Sequence, residues 1–124
     1  MKHLPDSEFE LMKIIWRAGA SLSRVEIEAQ WSHSGEVLPN TTLTLLSRLE
    51  KRGFVHKEKM GKTNLYTAII SEQEYTSNES RSFMKHTFNN SMGSFMNAFY
   101  SGKTVSDKDV RELEAFLEKI KNKD

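Results

Sequence analysis

The sequence of 124 residues contains no cysteine and no long apolar run. Without cysteine it has no disulfide, no zinc–thiolate site and no catalytic thiol. No apolar stretch approaches the ~20 residues that a membrane-spanning helix requires. The first ten residues, MKHLPDSEFE, also lack the apolar segment of a secretory signal. The sequence therefore predicts a cytoplasmic protein with no membrane insertion.

Catalytic patterns are missing as well. The four histidines are scattered, and no pair has the spacing of metal ligands. Neither a G-x-S-x-G nucleophile turn nor a glycine-rich phosphate loop occurs. Trp16 and Trp31 are more typical of a core than of a ligand-binding box. We therefore predict that the protein is not an enzyme and that it has no metal site and no cofactor.

The chain has little net charge, since 18 Lys and Arg against 17 Asp and Glu give +1. With 37% hydrophobic and 28% charged residues it is typical of one or two small globular domains. Local charge density is more informative than the total. Between Arg48 and Lys62, cations outnumber anions, which suits contacts with phosphate. An ordinary solvated face is an equally good interpretation of this patch, whose cations are Arg48, Lys51, Arg52, Lys57, Lys59 and Lys62.

Helical periodicity begins near the N-terminus. Residues 5–19 are predicted to form a helix, with Asp6 or Ser7 as the N-cap and Gly19 as the stop. Its apolar residues recur at helical spacing: Phe9, Leu11, Met12, Ile15 and Trp16.

A second, shorter helix is predicted over residues 21–31, with Ser23 as its cap. Its apolar residues, including Val25, also fit the alternation of a strand, but the intervening Glu and Gln favour a helix. The segment SHSGEV, residues 32–37, is rich in turn formers.

A third helix from Pro39 to Arg52 is followed by a predicted β-hairpin. Gly53 ends the helix, and the loop GKTN, residues 61–64, joins strands over 54–60 and 65–70. The second and third helices match a helix-turn-helix, and the added hairpin makes residues 1–71 a winged helix-turn-helix domain. The core-facing stripe of the third helix is Thr42, Leu45, Leu46 and Leu49.

The opposite face of the third helix is suited to DNA. Short hydroxyl and amide side chains and forked arginine can reach phosphates or base edges from the major groove. Leu43 predicts contact with a thymine methyl group, or else with the second helix. Arg48 suits a phosphate better than a guanine edge. The predicted DNA-binding residues are Asn40, Thr41, Leu43, Thr44, Ser47, Arg48 and Lys51 on the helix, and Lys59, Lys62 and Thr63, with Asn64, at the hairpin tip.

Residues 72–124 differ in character, because Met and Phe recur at helical spacing up to Tyr100. A last helix is predicted over 107–124, capped by Ser106 or Asp107. Two helices alone bury too little surface to be stable, so we predict a helical dimerisation region; a cap on the first domain or an effector site are alternatives. The predicted interface is Phe88, Met92, Phe95, Met96, Phe99, Val110, Leu113, Leu117 and Ile120.

Over nearly its whole length the chain resembles the penicillinase repressor family (BlaI/MecI/CopY). The motifs SEFELMKIIW, LPNTTLTLLSRLEKRGFV and LYT carry this resemblance. It implies a mainly α fold with a small β-hairpin, in which a winged-helix domain precedes a dimerisation arm, and a palindromic operator as partner. The matching residues are Glu8, Met12, Ile15, Trp16, Pro39, Thr41, Thr44, Arg48 and Leu49.

The resemblance also bears on induction. In β-lactam-responsive members a membrane sensor-protease pathway cleaves an Asn–Phe bond in the arm, and the matching bond here is Ala98–Phe99. The copper-responsive branch carries a cysteine cluster that this chain lacks. Asn40 and Leu43 stand where family members often have other residues, so the resemblance does not predict the operator sequence.

The sequence thus predicts a dimeric DNA-binding repressor. The resemblance implies target genes of the β-lactam-resistance type and relief by proteolysis. The alternatives are a repressor of the same fold that answers another signal, or a winged-helix module that binds protein.

Overall fold

The computed structural model describes residues 1–31 and 39–123. The predicted turn-rich segment 32–37 therefore lies outside the described residues. The chain divides into two compact units, Met1–Ser80 and Arg81–Asp124. The helices are α1 (Asp6–Ala18), α2 (Arg24–Gln30), α3 (Pro39–Lys51), α4 (Glu72–Phe88), α5 (Met92–Phe99) and α6 (Asp107–Lys121), and the strands are β1 (Leu22–Ser23), β2 (Val55–Met60) and β3 (Thr63–Ala68).

Helix α1 ends as predicted but begins differently. Gly19 takes a left-handed conformation with φ 63°, and its N–H donates to the carbonyl of Trp16. The predicted caps are wrong, because Pro5 is the N-cap and none of the described side chains accepts a capping hydrogen bond from the helix. Asp6 lies within the first turn instead, where its charge still favours the positive end of the helix dipole.

The prediction that α2 is a helix capped by Ser23 is confirmed. The Ser23 hydroxyl accepts from the Glu26 N–H (3.2 Å), and the Glu26 carboxylate accepts from the Ser23 N–H (2.9 Å). The predicted start at residue 21 is wrong, because Leu22 and Ser23 form strand β1. They pair with Tyr66 and Leu65 of β3, which gives an antiparallel sheet of order β1-β3-β2. The predicted fold class is confirmed, with a third strand added to the hairpin.

The hairpin loop is shorter than predicted. Thr63 pairs with Met60 and Asn64 with Lys59, so both belong to β3, and only Gly61 and Lys62 form the turn. Gly61 has φ 64°, as expected for glycine at the first central position of a type II′ turn.

The core of the first unit lies between α1, α2, α3 and the sheet. It includes Tyr75 from α4, whose hydroxyl accepts from the Leu4 N–H (2.8 Å). The compact units consequently separate after Ser80, further along than the predicted boundary after residue 71. The division of function at residue 71 stays a prediction.

Both tryptophans pack in the first unit. Trp31 is buried and donates to Glu10 (2.6 Å), and Trp16 packs against the core and donates to the Ile70 carbonyl (2.8 Å).

The second unit consists of the end of α4 together with α5 and α6. Ser91 caps α5, and the predicted Ser106 cap of α6 is confirmed by its hydrogen bond from the Asp109 N–H (3.1 Å). Asn89 and Asn90 make the turn before α5 with positive φ, which asparagine tolerates better than most residues. Neither α5 nor α6 has a buried residue. No helix in the described ranges is both long enough and apolar enough to cross a membrane.

Candidate nucleic-acid interface

The orientation of α3 is as predicted. Thr42, Leu45, Leu46 and Leu49 are all buried in the core. The C-terminal end of α3 is fixed by a Schellman motif, in which the Phe54 N–H donates to Leu49 (2.9 Å) and the Gly53 N–H to Glu50 (3.1 Å). Since Phe54 and Leu49 are both buried, this end of the helix is held firmly. The seven residues predicted on the opposite face are all exposed.

These exposed residues form one continuous surface. Asn40, Leu43, Thr44, Ser47, Arg48 and Lys51 line a shallow depression along α3, and Thr41 borders it. The Thr44 hydroxyl donates to the Asn40 carbonyl (2.8 Å), so its hydrogen is engaged and its lone pairs remain available to accept. The surface therefore offers hydroxyl and amide groups beside two cationic side chains.

Leu43 is 41% exposed. Besides the depression on α3, it lines a cleft of about 410 Å³ bounded by α2, α3 and the hairpin turn. It shares this cleft with Arg24 and Val25 of α2 but is not buried against that helix. The cleft is lined by Ser23, Arg24, Val25, Leu43, Lys62, Thr63, Asn64 and Tyr66.

Most of this cleft was missed by sequence reasoning. Of its residues on α2 and β1, none was predicted to be functional, because the pairing of β1 with β3 that places them there has no local sequence pattern. Tyr66 is almost completely buried, and this burial raises the pKa of its phenol. It therefore stays uncharged at neutral pH.

The basic patch is smaller than the sequence indicated. Arg52 forms an ion pair with the buried Glu8 of α1, and Lys57 lies 3.9 Å from Glu50. Glu8 lies 44 residues from Arg52 in the sequence, so the local charge density around the patch did not indicate this ion pair. Of the six cations of the patch, four make no ion pair with any described residue: Arg48, Lys51, Lys59 and Lys62.

Most hairpin residues predicted to bind DNA lie near one another. Lys62 occupies the turn, and Thr63 and Asn64 follow it at the start of β3. All three line the cleft. Lys59 is exposed on β2, directly across from Asn64, but it does not line the cleft.

The residues predicted to form a dimer interface lie in the second unit. Phe88, Phe95 and Phe99 form a chain of aromatic contacts, with ring centroids 5.4 and 5.7 Å apart. Phe88, Phe95 and Met96 are partly buried, and Phe116, which was not predicted, is exposed on α6. The exposed members of the predicted set are Met92, Phe99, Val110, Leu113, Leu117 and Ile120.

The bond between Ala98 and Phe99 lies in the last turn of α5. Both residues are exposed, but the Ala98 carbonyl accepts from the Ser101 N–H (3.4 Å), and the Tyr100 N–H donates to the Met96 carbonyl (3.0 Å). The bond is thus reachable from solvent while its backbone is folded.

A family model described as "Penicillinase repressor" matches residues 4–119. This chain belongs to the penicillinase repressor family. The family consists of transcriptional repressors and not of enzymes. The Bacillus licheniformis penicillinase repressor is 32% identical over 99% of this chain and 98% of its own length.

Two further relatives support the membership. The Staphylococcus aureus methicillin resistance regulatory protein MecI is 26% identical, and the match covers 94% of each chain. The solution structure of the DNA-binding domain of the repressor BlaI matches at 35% identity with a TM-score of 0.51. That match covers 60% of this chain and 94% of the BlaI domain.

Proposed function

We propose that this protein is a transcriptional repressor that binds duplex DNA with the outward face of α3. The observation that carries the proposal is that every residue of this face is exposed while the stripe behind it is buried. The similarity to the BlaI domain, which is described as DNA-binding, supports the same conclusion. We place the protein in the cytoplasm, where operator DNA is found.

In this proposal each part of the surface has a separate role. Arg48, Lys51, Lys59 and Lys62 contact phosphates, because they are exposed cations with no ion pair among the described residues. Leu43 contacts a thymine methyl group in the major groove. The remaining polar residues, which are Asn40, Thr41, Thr44, Ser47 and Thr63, hydrogen-bond to base edges or to the backbone.

We further propose that the protein is a homodimer on a palindromic operator. Large apolar side chains cover α5 and α6 and are exposed in a single copy. Water disfavours such a surface, and a second copy related by two-fold symmetry would cover it. Two copies would place their α3 helices in major grooves about one helical turn, or a multiple of it, apart.

Release from DNA is proposed to follow cleavage of the Ala98–Phe99 bond through a membrane sensor-protease pathway. A protease needs extended backbone, so the last turn of α5 must open before cleavage. Loss of the arm would separate the two DNA-binding units and so lose the gain in affinity from joint binding. Because the relatives are named for penicillinase and methicillin resistance, we propose target genes of the β-lactam-resistance type.

The proposal is tested by binding to DNA that flanks the protein's own gene. Arg48→Ala should weaken binding by about tenfold or more, since one charge-assisted contact contributes about 1.5–3 kcal/mol. Thr44→Ala tests the polar part of the same face. Arg17→Ala, at an exposed cation of α1, is the matched control and should change little.

Salt dependence then separates DNA from a protein partner. Binding to DNA should weaken steeply between about 50 and 200 mM salt, because phosphate contacts release counterions. The proposal fails if Arg48→Ala and Thr44→Ala both bind like the unchanged protein. It also fails if the protein ignores duplex DNA at low salt, a result that would favour the protein-binding module.

A further inference from the structure

Val25 is an exposed apolar residue in an unusual place. It lies in the first turn of α2 and is 62% exposed, whereas Ile27 of the same helix is completely buried. A single exposed apolar side chain is ordinary on a protein surface. Here, however, Val25 and the exposed Leu43 line the same cleft. Two apolar side chains that are not buried in the core therefore line the same cleft.

The rest of the cleft lining is polar or cationic. Lys62, Thr63 and Asn64 come from the hairpin, and no carboxylate belongs to the lining within the described ranges. Arg24 is already paired with Glu28 at 2.6 Å. Lys62 is thus the cation of the cleft that is available to an incoming anion. A ligand that alternates negative charge with apolar groups would match this lining, and a sugar–phosphate strand has that character.

The position of Leu43 connects this cleft to the proposed DNA-binding face. Leu43 lines both the depression along α3 and the cleft. The two surfaces are therefore continuous, and a duplex that lies along α3 would bring one of its strands to the mouth of the cleft. Val25 and Leu43 both line the cleft and both are exposed, so the cleft is open to solvent at these two residues.

We propose that the cleft holds one sugar–phosphate strand of the bound duplex, with Val25 packed on a deoxyribose and Lys62 on the adjacent phosphate. This inference rests on the proposed DNA-binding function and adds a contact from α2 that the α3 face lacks. Packing on a sugar removes apolar surface from water and involves no counterion. Val25 therefore contributes affinity that is independent of salt, whereas Lys62 contributes affinity that falls as salt rises.

The experiment compares variants on a short duplex that the unchanged protein has selected from a random pool. Val25→Ala removes two methyl groups from a side chain that is 62% exposed, which predicts about a fivefold loss of affinity. Val25→Asp places a carboxylate beside phosphate and should lose more than about tenfold. Ile69→Asp is the matched control, because Ile69 is 59% exposed in the same unit and does not line the cleft.

Salt titration and footprinting identify the contact. Val25→Ala should leave the slope of log affinity against log salt unchanged, while Lys62→Gln should reduce it by about 0.9. Hydroxyl-radical footprints should lose protection at the same short stretch of one strand in both variants. Urea unfolding of each variant confirms that it is folded.

The inference is overturned if Val25→Asp binds the duplex as tightly as Ile69→Asp does, or if the footprints of the Val25 and Lys62 variants match that of the unchanged protein. Such a result leaves the proposed function standing, because the unchanged protein still binds. Failure of the unchanged protein to select any duplex rejects both.

Discussion

The ion pair between Glu8 and Arg52 should be unequally sensitive to loss of its two partners. Glu8 is only 1% exposed on α1, whereas the Arg52 side chain, just beyond the end of α3, is 31% exposed. Removing Arg52 leaves a carboxylate buried without a partner. Removing the charge of Glu8 leaves a guanidinium that can turn toward water. The two substitutions therefore break the same contact but lower the free energy of unfolding by different amounts.

The magnitudes follow from this difference in burial. Arg52→Met should lower the free energy of unfolding by about 3–5 kcal/mol, the usual cost of an uncompensated buried charge. Glu8→Gln keeps an acceptor for the guanidinium and should cost about 1–2 kcal/mol. Stability of about 0.05–0.15 kcal/mol per residue gives the unit Met1–Ser80 about 4–12 kcal/mol in total. Arg52→Met would then remove a large part of it.

Urea unfolding of both single variants and of the double variant measures these costs. The double variant should be more stable than Arg52→Met alone, because it no longer buries an unpaired charge. Equal costs for the two single variants, or a cost below about 1 kcal/mol for Arg52→Met, would refute this reasoning.

Three further predictions concern other parts of the chain. Ser23→Ala removes the capping box of α2 and should lower the free energy of unfolding by about 1 kcal/mol, measured in urea. Leu117→Asp should halve the molar mass measured by light scattering if α6 lies in a dimer interface. Lys119→Asp, on the same helix, should leave the molar mass unchanged. Equal masses for both variants would contradict the proposed interface. Burial raises the pKa of Tyr75, so the folded protein keeps this proton longer than the unfolded chain, whose tyrosine pKa is about 10. The resulting stability is complete below about pH 10 and is lost as the pH rises toward the folded pKa, and Tyr75→Phe should reduce this alkaline loss in unfolding measurements.

Local patterns predicted the elements that depend on local sequence. The stripe of α3 and the stop at Gly53 follow from spacing and from glycine itself, and both were correct. Strand β1 was missed because Leu22 pairs with Tyr66 of β3, which is distant in the sequence. A two-residue strand has no periodicity from which it could be recognised.

Predictions from sequence were wrong or incomplete for polar residues whose burial or strand pairing depends on tertiary contacts. Glu8 is an acidic residue in the first turn of α1, and only its ion pair with Arg52 explains why it is buried. Thr63 and Asn64 looked like loop residues, but pairing with β2 extends the strand through them. Tyr75 stands in a polar segment, and only the packing of α4 shows that it belongs to the core.

The roles of the candidate DNA-binding residues stay predictions. Residue type and orientation made the α3 face a candidate from sequence. Val25 required the structure, because its place in the sequence fitted a helix or a strand and did not indicate that its side chain is exposed beside Leu43.

The central claim is that the outward face of α3 contacts DNA. The most direct measurement is a titration of the ¹⁵N-labelled protein with duplex DNA, followed by amide chemical shifts. The account predicts that shifts concentrate at α3 from Asn40 to Lys51 and at the hairpin turn around Lys62. Shifts confined to α1, or a spectrum unchanged by DNA at low salt, would contradict it.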